Sequence, residues 1–244
     1  MAARLDAQET YKIDEIIKPR CDLSEVPQID PPPWGKFAGA LQNNAEFRGA
    51  IVVYGLEGYA VRYAKDVRKR FNNSVAIAAE RLIIVYGGHA EDMRMELWII
   101  PKGAAEPKSN FVEDTRSARE FDIYEYLGGE ICGSGRLPAL AEFAGALKQR
   151  PEWEGYIVIR PHRNKRGVSI GDEGWDSDGY VSRRQALRRV ADDKRYLVKK
   201  FGLSAARLKA VVGEKDDWTH AELWLVPPGA EPPVSKTQRL TKKD

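Results

Sequence analysis

Apolar and polar residues are arranged along the chain in a way that predicts the same set of elements twice. Short β-branched runs such as Ala50–Tyr54 have the composition of buried strands, whereas apolar residues three or four apart predict amphipathic helices. In the first half these patterns predict strands at 13–17, 50–54, 81–86 and 93–100, and helices at 36–43 and 61–72. In the second half they predict strands at 121–127, 156–159, 207–212 and 219–226, and helices at 138–148 and 182–201.

Direct identities between the two halves indicate an internal duplication. Residues 37–41 and 143–147 share the run Phe-Ala-Gly-Ala-Leu at an offset of 106, and Glu-Leu-Trp recurs at 96–98 and 222–224 at an offset of 126. The difference of 20 residues locates one insertion in the second copy. Two collinear ungapped blocks of this kind are the signature of a repeat.

The order of the elements predicts an α+β fold made of two tandem β-α-β-α-β-β modules, each a mixed sheet with its helices on one face. Copy one is assigned to residues 1–107, with an N-terminal extension, and copy two to residues 121–233, with its insertion at 162–181. The polar segment 108–120 is predicted to link the modules, and residues 234–244 to form a polar tail.

Composition restricts the class of protein more than the function. The chain has 244 residues, of which 43% are hydrophobic and 31% charged, as expected of two globular domains. Its 39 basic and 36 acidic residues nearly balance, which argues against a nucleic-acid partner. No apolar run predicts a transmembrane segment, and residues 1–18 lack the apolar stretch of a signal peptide. Either the protein is cytoplasmic or a leader has been removed.

Motifs that carry catalysis or bind metals are not found. The chain contains no nucleophile elbow, P-loop or zinc-ligand spacing, so no catalytic residue, metal or cofactor is predicted. Cys21 and Cys132 occupy similar places in the two copies and would either pair as a disulfide or lie buried as thiols. The acidic residues of the insertion do not follow the spacing of a calcium-binding loop, which favours a surface loop instead.

Copy two carries residues that resemble the C-terminal, peptidoglycan-binding domain of OmpA-like proteins. These residues are Pro161-His162-Arg163-Asn164 after the central strand, Arg189-Val190 and Tyr196-Leu197 in the second helix, and Ala206-Arg207-Leu208 with Gly213 beyond it. The ending Glu-Leu-Trp-x-x-Pro-x-Gly-Ala of each copy is also similar to that of exported bacterial proteins with this module. The resemblance implies a periplasmic or other cell-envelope location.

The same resemblance implies a ligand site in copy two. Arg189 would hold the carboxylate of a diaminopimelate residue, next to His162, Arg163 and Asn164. Asn164 stands where the family has an aspartate that pairs with the ammonium of the ligand. A neutral side chain cannot supply that charge, so peptidoglycan binding becomes the alternative and not the leading hypothesis.

The second helix of copy two predicts a basic docking face. Residues 160–207 contain 13 basic and 6 acidic residues. At about 100° per residue, four of the basic side chains share one helix face, opposite an apolar stripe. These four are Arg184, Arg188, Arg195 and Lys199. A docking face and a merely solvated surface are both compatible with this pattern.

Charged residues at repeated positions predict one structural ion pair in each copy. Arg68 and Lys194 fall inside the apolar stripes of their helices, and Glu96 and Glu222 stand two residues before a tryptophan. Because buried charges need partners, we expect Lys194 to pair with Glu222 or another acid of its module, and Arg68 likewise in copy one. Trp98 and Trp224 themselves are predicted to pack in the core.

Together these patterns predict a non-catalytic cell-envelope protein that binds or scaffolds. Its expected partner is another protein or a larger complex, in which it would serve as an accessory subunit. Peptidoglycan binding through copy two is the first alternative. An enzyme with an unrecognised site between the modules is the second.

Overall fold

The computed structural model describes residues 9–18, 34–109, 111–125, 135–161, 183–216 and 219–233. These residues form two compact units, Met1–Val112 and Glu113–Asp244, and the boundary falls inside the segment predicted as a linker. The insertion at 162–181, the tail at 234–244 and both cysteines lie outside the described residues.

Each unit contains four strands and two helices. In copy one they are β1 (Tyr11–Lys18), α1 (Trp34–Asn43), β2 (Arg48–Tyr54), α2 (Glu57–Val75), β3 (Leu82–Gly88) and β4 (Met93–Ile100). In copy two they are β5 (Arg119–Glu125), α3 (Arg136–Gln149), β6 (Glu154–Arg160), α4 (Arg183–Phe201), β7 (Leu208–Val212) and β8 (His220–Val226). A short 3₁₀ turn precedes β3 and β7, at Ala79–Arg81 and Ala205–Arg207.

The two sheets have the same strand order, which confirms the predicted repeat of a β-α-β-α-β-β module. The order is β1-β4-β2-β3 in copy one and β5-β8-β6-β7 in copy two. The central pair of strands is antiparallel in both copies, and the pair at the far edge is parallel, so each sheet is mixed.

The helices pack on one face of each sheet. Alternate residues of a strand point to opposite faces, and one set of them is buried against the helices. In copy one, Ile51 and Val53 of β2 belong to the same buried cluster as residues of α1 and α2. Ile157 and Ile159 do the same in copy two. The opposite face of the second sheet carries a smaller apolar cluster around Val158, which includes Trp224.

One glycine in each central strand allows the first helix to approach the sheet. A Cβ atom at Gly49 would lie 2.5 Å from the ring of Phe37, and one at Gly155 would lie 2.7 Å from Leu147 and 2.9 Å from Phe143. Atoms cannot approach so closely, so a larger side chain here would displace the helix. The repeated Phe-Ala-Gly-Ala-Leu run therefore depends on the glycine that faces it.

An arginine at the end of each 3₁₀ turn holds the chain between the first helix and the central strand. The Arg81 guanidinium donates through Nη2 to the carbonyl oxygens of Leu41, Asn44 and Phe47, at 2.7, 2.8 and 2.8 Å. Arg207 makes the same three contacts with Leu147, Arg150 and Trp153, at 3.0, 2.7 and 2.8 Å. The last carbonyls of a helix have no partner within the helix, and here a planar cation supplies one.

Copy two has a further buried polar contact that copy one lacks. Asp193 of α4 is fully buried and accepts hydrogen bonds from the Tyr124 hydroxyl and the Arg136 guanidinium. This contact joins α4 to β5 and to the beginning of α3. The residue of copy one at the matching offset of 126 is Val67, which is also buried but apolar.

The observed elements differ from the predicted ones mainly at their ends. Helix α2 begins at Glu57 and not at Val61, because the Gly-containing run that precedes Val61 forms its first turn. Strand β5 begins at Arg119, two residues before its predicted start, and Phe111 of the predicted linker packs edge-on against Tyr86 of its own unit at 5.1 Å. The predicted extension of β5 beyond Glu125 lies outside the described residues.

The arginine contacts predict a matched pair of destabilised variants. Arg207→Ala should lower the free energy of unfolding of copy two by about 2–3 kcal/mol, because three carbonyl oxygens lose a charged donor. Arg81→Ala should have a similar effect on copy one. Urea unfolding followed by hydrogen exchange would assign each loss to its module.

Arg207→Lys and Arg81→Lys are the controls, since lysine keeps the charge but cannot reach three carbonyls from one planar group. They should recover less than half of the loss. Alanine variants that unfold at the same urea concentration as the parent protein would contradict this account.

Candidate functional site

The predicted docking face lies on the exposed side of α4. Arg184, Arg188, Arg195 and Lys199 are all exposed, and we call these four residues the basic face. Arg195 has a neighbouring acid, Asp192, at 3.2 Å one helical turn away. Such exposed pairs contribute little to stability, and they leave most of the charge of the face uncompensated.

Copy one carries only part of this basic face. At the matching offset of 126, the four positions are Gly58, Arg62, Lys69 and Asn73. Two of the four cations are therefore absent. Since the fold is the same in both copies, this difference belongs to the surface of α4 and not to the architecture.

The residues of the predicted ligand site are described only in part. Arg189 is half-buried on α4, next to the buried Val190. His162, Arg163 and Asn164 lie outside the described residues. The predicted pocket between Arg189 and Asn164 therefore stays a prediction.

The predicted ion pairs of Lys194 and Arg68 are not formed with any acid of the described residues, Glu222 included. Both side chains are half-buried, and within the described parts of the chain neither has an acidic partner at ion-pair distance. The charged residue that α4 buries is the neighbouring Asp193. Positions 193 and 194 lie on opposite sides of the stripe formed by Val190 and Leu197, so spacing alone could not decide which of them faces inward.

The repeated glutamates pair with other cations, on the sheet face that points away from the helices. Glu222 of β8 lies against Arg160 at the end of β6, and both nitrogens Nε and Nη2 of the guanidinium contact its carboxylate. His220 lies 3.4 Å from the same carboxylate. In copy one, Glu96 has Lys12 at 3.6 Å and Arg94 at 4.0 Å.

The tryptophans lie on this same face. The indole of Trp98 donates to Glu96 Oε2 at 3.1 Å, and the indole of Trp224 donates to Glu222 Oε2 at 2.8 Å. Trp224 also packs against the small cluster around Val158. The main core, however, lies on the other face of the sheet, so its location differs from the expectation.

Arg160 and its neighbours keep the Glu222 carboxylate ionised. Burial alone would raise the pKa of this glutamate, but hydrogen bonds from His220, Arg160 and Trp224 outweigh that effect and lower the pKa from 4.5 to about 2. Glu222 is 7% exposed, so its charge depends on these partners and not on water.

In copy one the position that corresponds to Arg160 is occupied by Tyr54. Its hydroxyl donates to Glu96 Oε2 at 3.3 Å. The ring of Tyr54 is covered by the guanidinium of Arg94 at 3.9 Å, in a cation–π arrangement. Glu96 thus keeps the tryptophan contact that Glu222 has, but lacks the forked guanidinium.

A cavity of about 770 Å³ opens above Glu96 in copy one. Val52, Tyr54, Glu96 and Trp98 form its floor on the sheet, and residues 103–108 with Glu9 and Thr10 form its walls. Its lining therefore combines aromatic and aliphatic surface with a buried carboxylate. Three acidic side chains and one basic side chain line it. Glu96 and Glu106 among these acids are already paired, with Lys12 and Arg94 and with Arg48.

Sequence patterns missed the residues that form these two sites. Arg160 was counted among the basic residues near the insertion, and Tyr54 was assigned to a buried strand. The offset of 106 aligns the two residues, but only the pairing of the strands places them beside the glutamates.

Other classes of site are not found among the described residues. No group of three or more His, Cys, Asp or Glu side chains there could hold a metal ion, and no helix there is long and apolar enough to cross a membrane.

The comparisons with known proteins add no family to this description of the fold. The sequence matches no protein-family model, and a search of curated proteins finds no relative. The fold and sites described above define a two-module α+β repeat protein, and the resemblance to OmpA-like domains stays a prediction.

The lowered pKa of Glu222 predicts how the stability of copy two depends on pH. Because the folded-state pKa is about 2, below the ordinary 4.5, the carboxylate stabilises copy two above about pH 4.5 and loses that effect as the pH falls towards 2. The shift corresponds to about 3 kcal/mol. Glu222→Gln should remove this part of the pH dependence. Urea unfolding at a series of pH values between about 2 and 6 would measure it.

Glu231→Gln, at an exposed glutamate of the same copy, is the control for the loss of one negative charge. It should leave the pH dependence as in the parent protein. Equal pH profiles for Glu222→Gln and the parent would contradict the strong pairing with Arg160.

Proposed function

We propose that this protein is a non-catalytic binding or scaffolding protein of the bacterial cell envelope. It docks through the basic face of α4 onto an acidic surface of a partner protein, as an accessory subunit of a larger complex. The observation that carries this proposal is the exposure of all four cations of the basic face, on a helix whose counterpart in copy one has lost two of them.

Charge and chemistry favour a protein partner over a uniform polyanion. Three of the four cations are arginines, whose planar guanidinium binds carboxylates in a forked geometry. Helix α4 carries eight basic and two acidic residues, against five basic and two acidic residues in α2, so the excess of positive charge is larger on α4. Discrete carboxylates on a protein surface fit such a face best.

The envelope location rests on the resemblance of copy two to OmpA-like domains. The absence of catalytic function rests on the lack of a nucleophile, acid–base or metal motif in the sequence. The cavity of copy one, with its paired charges, is suited to binding and has no activated nucleophile among its described lining residues.

The basic face predicts salt-sensitive binding to acidic polypeptide. A variant with Arg184, Arg188, Arg195 and Lys199 all changed to alanine should bind immobilised polyglutamate at least about tenfold more weakly, because four charge contacts are lost. The matched control changes four cations of α2 to alanine, namely Arg62, Lys65, Lys69 and Arg70. It removes the same total charge and should weaken binding much less.

Salt provides a second measurement on the parent protein. The Debye screening length shortens from about 10 Å at 0.1 M salt to about 3 Å at 1 M, so binding through exposed charges should be lost over this range. Equal losses for the two quadruple variants would mean that bulk charge and not the basic face binds. Stronger binding to phosphatidylglycerol vesicles than to polyglutamate would replace the protein partner by a membrane surface.

Peptidoglycan binding is tested separately through Arg189. Because Asn164 offers no anion for the ammonium of diaminopimelate, purified peptidoglycan should pull down little of the protein, and Arg189→Ala should not change that amount. Arg188→Ala is the matched control on the neighbouring exposed position. Tight binding to peptidoglycan that disappears in Arg189→Ala alone would overturn the docking proposal in favour of wall binding.

A further inference from the structure

Copies one and two differ in the groups that donate hydrogen bonds to the carboxylate of the same buried glutamate. The offset of 106 aligns Tyr54 with Arg160, and the offset of 126 aligns Arg94, Glu96 and Trp98 with His220, Glu222 and Trp224. Strand pairing agrees with both alignments, since Tyr54 faces Arg94 across the sheet as Arg160 faces His220. The two sites are therefore equivalent positions of one scaffold.

Copy two shows which group this position accepts. The guanidinium of Arg160 contacts both oxygens of Glu222, while the indole of Trp224 holds Oε2 from the side. A carboxylate with 7% exposure is stabilised in this way by a planar cation from its own module.

In copy one the neighbouring cations do not take that role. Lys12 Nζ lies 2.7 Å from Glu15 but 3.6 Å from Glu96. Arg94 lies 3.6 Å from Glu15 and 4.0 Å from Glu96, and its guanidinium covers the Tyr54 ring. Distances of this length are ionic contacts without a hydrogen bond. Oxygen Oε1 of Glu96 thus has two cations within 4.0 Å, but neither is as close as the Arg160 guanidinium is to Glu222.

The cavity above Glu96 has the shape and lining that such a donor needs. Glu96 lines it together with Trp98 and residues 103–108. Its aliphatic and aromatic surfaces would contact the methylene groups of an arginine side chain, and the indole would lie beside its planar head. Glu9 and Glu106 at the rim add negative charge, although Glu106 is paired with Arg48 at 2.6 Å.

We propose that the cavity of copy one binds a guanidinium group, as presented by an arginine side chain, against Glu96. The ligand donates to Glu96 Oε1, as Arg160 Nε does to Glu222 Oε1 in copy two, while Tyr54 keeps its contact with Oε2. Copy one is then a receptor for an external cation, and copy two is the same site closed by its own residue. This site belongs to copy one and the basic face to copy two, so the inference does not depend on the docking proposal.

The test uses the whole chain and blocked tripeptides in calorimetry, with the sequence Gly-Arg-Gly and its citrulline and lysine analogues. We expect Gly-Arg-Gly to bind once per chain, with a Kd on the order of 1 mM or tighter. Citrulline has the same shape without the charge, and should bind at least about tenfold more weakly. Lysine should also bind more weakly, because an ammonium cannot fork across the carboxylate.

Free arginine distinguishes a peptide ligand from a small molecule. Its own carboxylate is repelled by the glutamates at the rim, so we expect the blocked peptide to bind more tightly. Equal or tighter binding of free arginine would keep the guanidinium site but assign it to a small molecule.

Variants connect the binding to Glu96. Glu96→Gln should weaken binding of the arginine peptide about tenfold or more, whereas Glu222→Gln in copy two should leave it unchanged. The double variant Tyr54→Arg with Arg94→His copies the residues of copy two into copy one, and should abolish binding because the site then fills itself.

Retention of the indole and amide signals of both modules in NMR spectra shows that each variant is folded. The comparison of arginine with citrulline on the parent protein needs no variant at all. Equal affinities for these two peptides, no saturable binding, or unchanged binding in folded Glu96→Gln would each overturn the proposal.

Discussion

Each module depends on the hydrogen bonds that are made by the arginine at the end of its 3₁₀ turn. Arg81 and Arg207 each bind three carbonyl oxygens between the first helix and the central strand. Because one planar cation satisfies the end of the helix, the helix can stop and reverse within a few residues and pack directly over the strand it leads to. The glycines of the central strands, Gly49 and Gly155, make that close packing sterically feasible. With this corner held, the helix face of each sheet has the same constraints in both copies.

The sheet face away from the helices is less constrained, and the two copies diverge there and on the surface of the second helix. A glutamate and a tryptophan are kept at the centre of that face in both sheets, joined by an indole hydrogen bond. The cation beside them differs, being an internal arginine in copy two and the more distant Lys12 and Arg94 in copy one. On the helices, two of the four cations of the basic face of α4 have no counterpart at the matching positions of α2. Duplication thus preserves the scaffold, while charges at its surfaces specialise.

Most of the fold could be predicted from the sequence, because repeated identities fix the element order twice and apolar spacing separates strands from helices. Element ends were less accurate, as at Glu57, where a run containing glycine begins a helix. The candidate sites could be predicted only partly. The basic face follows from helical periodicity, since exposure depends on the local turn of one helix. The partners of Glu96 and Glu222 depend on strand pairing between residues about 40 to 60 positions apart, which periodicity cannot provide. The misassigned Lys194 shows the same limit, because it and Asp193 both fit the stripe.

The central claim is that one scaffold carries the same buried glutamate twice, closed by an internal guanidinium in copy two and open to an external one in copy one. A crystal structure determined after soaking with guanidinium chloride, well below denaturing concentrations, tests it most directly. The account predicts a guanidinium ion forked against Glu96 and beside Trp98, with Arg160 still in place on Glu222. A structure in which Glu96 binds no ion, or in which Arg94 has moved to hold it as Arg160 holds Glu222, would contradict the account.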